Sequence, residues 1–428
     1  MIDGTRAHAH PPRRSERVVI VVGAGAAGTA AALAAAARAR RVVMVDGGTG
    51  ATTLSTGALD LAPWSRASRP PAALTAGARG VLAAMDAHAL PEAGARLLTT
   101  AGIERPARGH DAALLDVTPF AGRLLGVVRC RRPGWDAAAL ARSWGEGYEP
   151  LDATILRHVD ETVLPDADFA ARHDDPQRLG WLAERLREAL ARSERRFAAL
   201  VLPPCLGVER ARGRTLSELV GASCGEAMGL PGGPSGLRFE RARDRALSAA
   251  AVERVRGRAT RVGSAEPGWR IAVESAAGEP LTVDGDAVVL ATGGLIGGGL
   301  EYAPAEAVFA SALPPAPRLP FGTSPPAPVA IGAHGRPIDL PSTLFGPAPE
   351  SIAWPFVDAA LLDRVGVLAG DDGRAAPGLF VAGDLRADGP RTWLDALATG
   401  AAAGSTAAES AVSDPTPSWL GAASPSRP

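Results

Sequence analysis

Three glycines and one acid carry the first chemical signal. Gly23-Ala24-Gly25-Ala26-Ala27-Gly28 has the spacing with which a strand turns into a helix around a pyrophosphate. Gly23 permits the tight turn, Gly25 lets the backbone approach the phosphates, and Gly28 lets the helix pack closely on the strand. Ala27 lies in the first helical turn, where free N–H groups and the positive dipole end favour an anion. Asp46 follows at the distance suited to hydrogen-bonding a ribose diol. The elements that must position these residues are present. Val18–Val22 is an apolar run expected to be a buried parallel strand, an alanine-dominated helix is expected from Ala26 to Ala39, and Val42–Val45 is a second strand ending in Asp46. A secretory signal is the competing reading of Arg13, Arg14 and the apolar stretch after Val18. The glycines interrupt that stretch, and Ser15-Glu16-Arg17 stands where a twin-arginine signal needs a large apolar residue.

Two further strand ends carry small residues suited to a nucleotide. Asp286–Leu290 runs into Ala291-Thr292-Gly293-Gly294, where Thr292 and Gly293 let the turn pass under the ligand. Gly378–Ala382 ends in Gly383-Asp384, whose acid suits a ribityl hydroxyl. After Asp46 comes a loop of glycines and hydroxyl residues. That loop, Gly47–Leu61, can lie against a flat ring and donate hydrogen bonds, with Ser55, Thr56 and Gly57 as its candidate contacts. The small-residue helix Leu394–Ala408, containing Gly400, can turn its N-terminus toward the pyrimidine side of an isoalloxazine.

The remaining stretches offer weaker candidates. Gln177–Phe197 reads as an amphipathic packing helix, with Leu179, Leu182, Leu186 and Leu190 on one face. Leu114–Gly122 reads as a strand and turn. Arg123 and Arg129 follow it, and Arg123 is a candidate for holding a substrate anion. Arg386 and Arg391 follow the third fingerprint, and Arg391 is the preferred anion contact. His110 is a weak candidate base, so the catalytic residue stays unassigned. His334 falls in a loop. Pro234–Arg238 leads into a helix reaching about Val252, and Arg258–Val262 and Arg270–Val273 read as antiparallel strands joined through Glu266-Pro267-Gly268.

The 428 residues are enough for two domains, and 46% hydrophobic with 21% charged residues is ordinary for a globular enzyme. A net charge of −1 gives no basic face for nucleic acid. The chain has no lysine, which excludes Schiff-base chemistry. Cys130, Cys205 and Cys224 form no CxxC pair, so neither a metal site nor an iron–sulfur cluster is expected. Nothing suggests a disulfide framework, which fits the cytoplasm. No strongly apolar run of about 20 residues suggests a membrane span.

Taken together, the three fingerprints resemble the flavoproteins with a glutathione-reductase-type nucleotide domain. The expected fold is α/β: an FAD-binding Rossmann domain formed by residues 16–62, 236–300 and 365–412, with an inserted α+β cap or substrate domain formed by 63–235 and 301–364. Residues 1–15 and 413–428 are expected to be flexible tails. From about Arg17 to Glu409, the chain also resembles the B-type flavoprotein component of the anaerobic glycerol-3-phosphate dehydrogenase family. Four segments carry that likeness: Leu54–Leu61, Leu202-Pro203-Pro204-Cys205-Leu206-Gly207, Pro234–Arg238 with its helix, and Leu290–Gly294 with Gly297–Leu300. The resemblance implies a flavin-dependent dehydrogenase component that takes part in oxidising sn-glycerol 3-phosphate to dihydroxyacetone phosphate, with electrons passed to quinone. It implies a second flavoprotein subunit and a membrane-associated iron–sulfur subunit as partners, and a cytoplasmic protein held at the inner membrane through them. FAD is the expected cofactor, because FMN has no adenosine ribose for Asp46 to bind. FMN, often described in this family, is the alternative. The competing functions are an FAD-dependent oxidoreductase of the fumarate-reductase or ketosteroid-dehydrogenase type, and a non-catalytic flavoprotein that relays electrons.

Overall fold

The computed structural model describes residues 17–38, 40–59, 76–84, 87–89, 94–303, 320–339, 350–353 and 358–413. The tail expected at 1–15 and nearly all of that at 413–428 lie outside these residues, as do 60–75 and parts of 301–364. An eight-stranded sheet forms the centre, in the order Pro280–Gly285, Trp269–Ser275, Glu253–Ser264, β2, β1, Ala287–Leu290, Leu379–Val381, Arg374–Ala376. Here β1 is Val18–Val22, β2 is Arg41–Asp46, and the helix between them, α1, is Ala26–Ala36. The run of β-branched residues in β1 and β2 is what a strand covered on both faces requires. β1 is parallel to both of its neighbours, Ala287–Leu290 is parallel to Leu379–Val381, and Glu253–Arg256 is parallel to β2. From Gly257 the same long strand enters an antiparallel meander with Trp269–Ser275 and Pro280–Gly285, interrupted by a bulge between Ala259 and Arg261.

The two faces of this sheet are filled differently. On one, Val19, Val21, Met44 and Val289 pack under the alanines of α1 and of the helix Trp393–Ser413. Those two helices run so close that a Cβ on Gly400 or Gly404 would collide with the backbone of Ala27 or Ala31. Small residues on both sides permit that approach. On the other face, Ile20, Val22, Val43 and Val288 cluster with Phe321, Ala333, Ile338, Val365 and Val367. The described part of 301–364 therefore shares its core with the nucleotide sheet. This departs from the assignment of that segment to the cap.

The inserted region has its own core. Leu125–Val128, Tyr148–Leu151, Ala199–Leu202 and Ser223–Glu226 form an all-parallel sheet, with the helices Ala137–Trp144, Pro176–Arg192 and Gly213–Val220 as crossovers. Two small antiparallel sheets accompany it. The leucines expected on one face of the long helix do pack inward: Leu179, Leu182 and Leu186 are buried. Leu114–Gly122 is not a strand. It makes isolated bridges, Leu114 with Glu226 and Asp116 with Leu97, before a short 3-10 turn at Thr118–Phe120. α1 ends at Ala36 rather than Ala39.

Candidate flavin site

A cavity of about 350 Å³ opens where the parallel strands of the large sheet end. Such carboxyl-terminal edges are where α/β sheets bind ligands. The glycine turn after β1, the loop after β2, Ala291-Thr292-Gly293 and Ala382-Gly383-Asp384 all face it. The structure thus brings the three fingerprints to one wall. Of the residues expected at the site, Gly23, Gly25, Ala27, Thr292, Gly293, Gly383, Asp384 and Arg391 line the cavity.

The glycine turn fits a dinucleotide. Gly23 has φ +106°, and a Cβ there would strike the Ala291 carbonyl; one on Gly28 would strike the Gly23 carbonyl. Both glycines seat the turn and α1 against the sheet. Gly25 is the α1 N-cap, and the nearest atom to a Cβ built on it is the Thr52 hydroxyl, 3.0 Å away. The missing side chain thus leaves room for the Thr52 hydroxyl at the residue a pyrophosphate must approach, and both residues line the cavity. The Ala26 N–H donates to Thr52 Oγ1 at 3.2 Å. No acidic side chain stands in the first turn of α1 to compete for an anion.

Several expected contacts lie elsewhere. Gly28 packs α1 and does not face the cavity. Gly400 belongs to the helix–helix contact with Ala27, so its lack of a side chain serves packing rather than a ring. Ser55, Thr56 and Gly57 lie past the part of the loop that lines the site. Ser55 Oγ accepts from the Gly57 N–H at 3.2 Å, and Gly57 is held under Ser235 and Leu114. The cavity is lined instead by the preceding residues, Gly47–Thr53. Arg123 stands near the Phe120 ring, 5.9 Å from its centroid, away from the cavity wall. His110 is buried in the Gly109–Asp111 strand, with Nδ1 2.9 Å from the Asp111 carbonyl, and does not face the cavity.

Asp46 is engaged within the protein. Oδ1 accepts from the Gly48 N–H at 3.0 Å, and Oδ2 is paired with Arg254, which also bonds Asp244 at 2.8 Å. Burial alone would raise its pKa. The hydrogen bonds from Arg254 and Gly48, with the charges of Arg243 and Arg254, outweigh burial and hold it below the usual carboxylate value. Asp384 is the carboxylate on the cavity wall among the described residues. Burial raises its pKa, and the Arg391 charge opposes that rise. Arg391 sits at φ +52°; its Nη2 donates to the Val365 carbonyl at 2.7 Å, and its Nε is buried without a partner among the described residues.

Sequence reasoning missed part of the wall. Arg243, Arg258 and the edge-to-face pair Phe239–Trp393, with centroids 5.2 Å apart, all face the cavity. Arg243 and Phe239 lie on the helix Pro234–Ala249, whose neighbouring Gly236 packs on the Thr53 backbone. The segment Pro234–Arg238 signals that helix, but nothing in its pattern marks the cavity-facing side. Burial disfavours the thiolate form of each cysteine. Burial pushes Cys130 and Cys224 up to about 12 and Cys205 well above its usual value. Among the described residues no cluster of three or more His, Cys, Asp or Glu could hold a metal ion, and no helix is long and apolar enough to cross a membrane.

Residues 18–158 match the family model described as an FAD-binding domain. No curated protein sequence matches the chain. Among solved structures, AlpK aligns at 12% identity and TM-score 0.29, over 90% of this chain and 59% of its own. The OxyS anhydrotetracycline hydroxylase from Streptomyces rimosus aligns at 12% identity and TM-score 0.25, over 67% of this chain and 34% of its own. T. acidophilum thioredoxin reductase aligns at 12% identity and TM-score 0.22, over 93% of this chain and all of its own. This chain thus spans about a third of the hydroxylase and less than two thirds of AlpK. Fold, cavity and family model together define a flavoprotein with an FAD-binding Rossmann fold. FAD is its cofactor.

Proposed function

We propose that the protein is the dehydrogenase component acting on a small phosphorylated alcohol, with sn-glycerol 3-phosphate as its substrate and dihydroxyacetone phosphate as the product. The observation that carries this reading is Arg391. It shares one cavity wall with all three nucleotide fingerprints, and Nη2 anchors the guanidinium on the Val365 carbonyl at 2.7 Å while Nη1 carries no hydrogen bond among the described residues. A fixed guanidinium with an unused donor suits a phosphate. Bound FAD supplies the hydride acceptor. The likeness of the segments at Leu54–Leu61, Leu202–Gly207, Pro234–Arg238 and Leu290–Leu300 to the B-type glycerol-3-phosphate dehydrogenase flavoproteins supports the same substrate. In this reading the roles of the chain's own residues are static. Arg391 holds the phosphate, Asp384 accepts from the ribityl chain, and the start of α1 holds the pyrophosphate. Electrons leave to quinone through a second flavoprotein and a membrane-associated iron–sulfur protein, which hold this chain at the cytoplasmic side of the inner membrane.

The test is anaerobic reduction of the FAD-loaded protein. sn-Glycerol 3-phosphate bleaches the wild-type flavin, glycerol does not, and Arg391→Ala raises the half-saturating concentration at least about tenfold, as expected for loss of a charge-assisted hydrogen bond. If Arg391→Ala leaves reduction by every phosphorylated substrate unchanged, the Arg391 assignment is wrong. If the wild-type flavin is reduced only by an added partner flavoprotein, the electron-relay role replaces the dehydrogenase.

A further inference from the structure

Of the other two arginines on the cavity wall among the described residues, Arg243 and Arg258, the buried one points to the other end of the cofactor. Arg243 is 7% exposed, on the helix Pro234–Ala249, and lines the cavity beside Ala24 and Gly25. Two of its three nitrogens are engaged. Nη1 donates to the Ala24 carbonyl at 3.2 Å, and Nε to Asp244 Oδ1 at 2.9 Å. Nη2 has no hydrogen-bond partner among the described residues. The guanidinium also stands over the Phe239 ring, 5.8 Å from its centroid. The nearby acids do not neutralise it toward the cavity. Asp244 is shared with Arg254, and Arg254 in turn holds Asp46, so each carboxylate already answers a second arginine or a backbone N–H.

The Nη2 group is thus free to donate to an acceptor in the cavity that Arg243 lines. The position of this donor identifies the acceptor. Arg243 adjoins the glycine turn and the Val45–Gly47 end of the cavity, whereas Arg391 adjoins Asp384 and Thr392. In a cofactor laid along the fingerprints, the ribityl end belongs to Asp384 and the adenosine end to the strand that carries Asp46. We propose that Arg243 recognises the adenosine diphosphate half of FAD and is the residue that makes the site prefer FAD to FMN. With Asp46 already tied to Arg254 and Gly48, this cation takes over much of the discrimination usually given to the acid after the second strand.

The inference rests on FAD as the cofactor and not on the substrate, so it and the glycerol-3-phosphate reading fail separately. The experiment is calorimetric titration of the flavin-stripped full-length protein with ADP, FAD and FMN. Arg243→Met keeps the apolar stem over Phe239 and removes the charge. It is expected to weaken ADP and FAD about 10- to 100-fold, the range for one hydrogen bond to a charged group, and to leave FMN within about twofold. Arg243→Lys restores part of the loss. Arg243→Gln, which can still donate to Ala24, carries the same comparison if the methionine variant does not fold. Equal losses for FAD and FMN, unchanged ADP affinity in the variant, or no ADP binding by the wild type would each overturn the proposal.

Discussion

Arg238 and Glu226 form an ion pair at 2.9 Å with both side chains almost wholly buried. The arginine joins the helix that carries Arg243 to the inserted sheet. Its Nε donates to Asp111 Oδ2 at 2.6 Å, Nη1 to the Gly207 carbonyl at 2.6 Å, and Nη2 to Glu226 and to Ser235 Oγ at 3.0 Å. The other Glu226 oxygen accepts the Cys205 and Leu206 N–H groups. The loop after the inserted sheet's Ala199–Leu202 strand therefore has its amides filled by the protein's own carboxylate.

Arg238→Met should strand two buried carboxylates. Breaking a buried pair from one side costs about 3–5 kcal/mol. Urea unfolding should show a loss of that size, with a smaller loss for Glu226→Gln, which keeps an acceptor for Cys205 and Leu206. A loss under about 1 kcal/mol for Arg238→Met would show that the network contributes little.

Gly400 and Gly180 make a matched pair of glycine tests. A Cβ on Gly400 meets the backbone of Ala27, whereas one on Gly180, inside the helix Pro176–Arg192, meets nothing within 4 Å. Gly400→Ala should destabilise by about 1–3 kcal/mol through overpacking. It should also loosen FAD, because Ala27 is on the cavity wall. Gly180→Ala should be neutral or stabilise by up to about 1 kcal/mol. Thermal melts with and without FAD distinguish these outcomes. Equal behaviour of the two variants would contradict the helix contact.

His173 makes stability depend on pH. It is fully buried against Phe169, and desolvation, with the Arg178 charge, pushes its pKa down from 6.5 to about 4. The unfolded chain therefore takes up the proton first. Stability contributed by the neutral ring is present above about pH 6.5 and is lost as pH falls toward 4. Between pH 7 and pH 5 the loss from this group is about 2 kcal/mol. His173→Phe should flatten that part of the urea-stability profile. An unchanged slope would show that other groups set it.

The nucleotide half is legible in the sequence because its signals are local. Runs of apolar residues mark β1 and β2, and Gly28 is required by a contact with Gly23 one turn away, although the Ala291 carbonyl that Gly23 must clear lies far off in the sequence. The small-residue run around Gly400 announces a close approach, but not whether a ring or a helix makes it. Arg243 is hidden for another reason. An arginine in a charged helix reads as solvated, and only the tertiary position of that helix beside Ala24 places it at the cavity. Leu114–Gly122 misleads because its residues trade partners singly with Glu226 and Leu97 instead of forming a ladder. Asp46 stands at the end of β2 as expected, but its tie to Arg254, more than two hundred residues away, carries no sequence signal.

The most direct measurement is the identity of the flavin released when the purified protein is denatured. The three fingerprints lining one cavity, with Arg243 at its adenosine end, require FAD in one-to-one ratio with the chain. Release of FMN alone, or a colourless protein that binds neither flavin on reconstitution, would contradict the account.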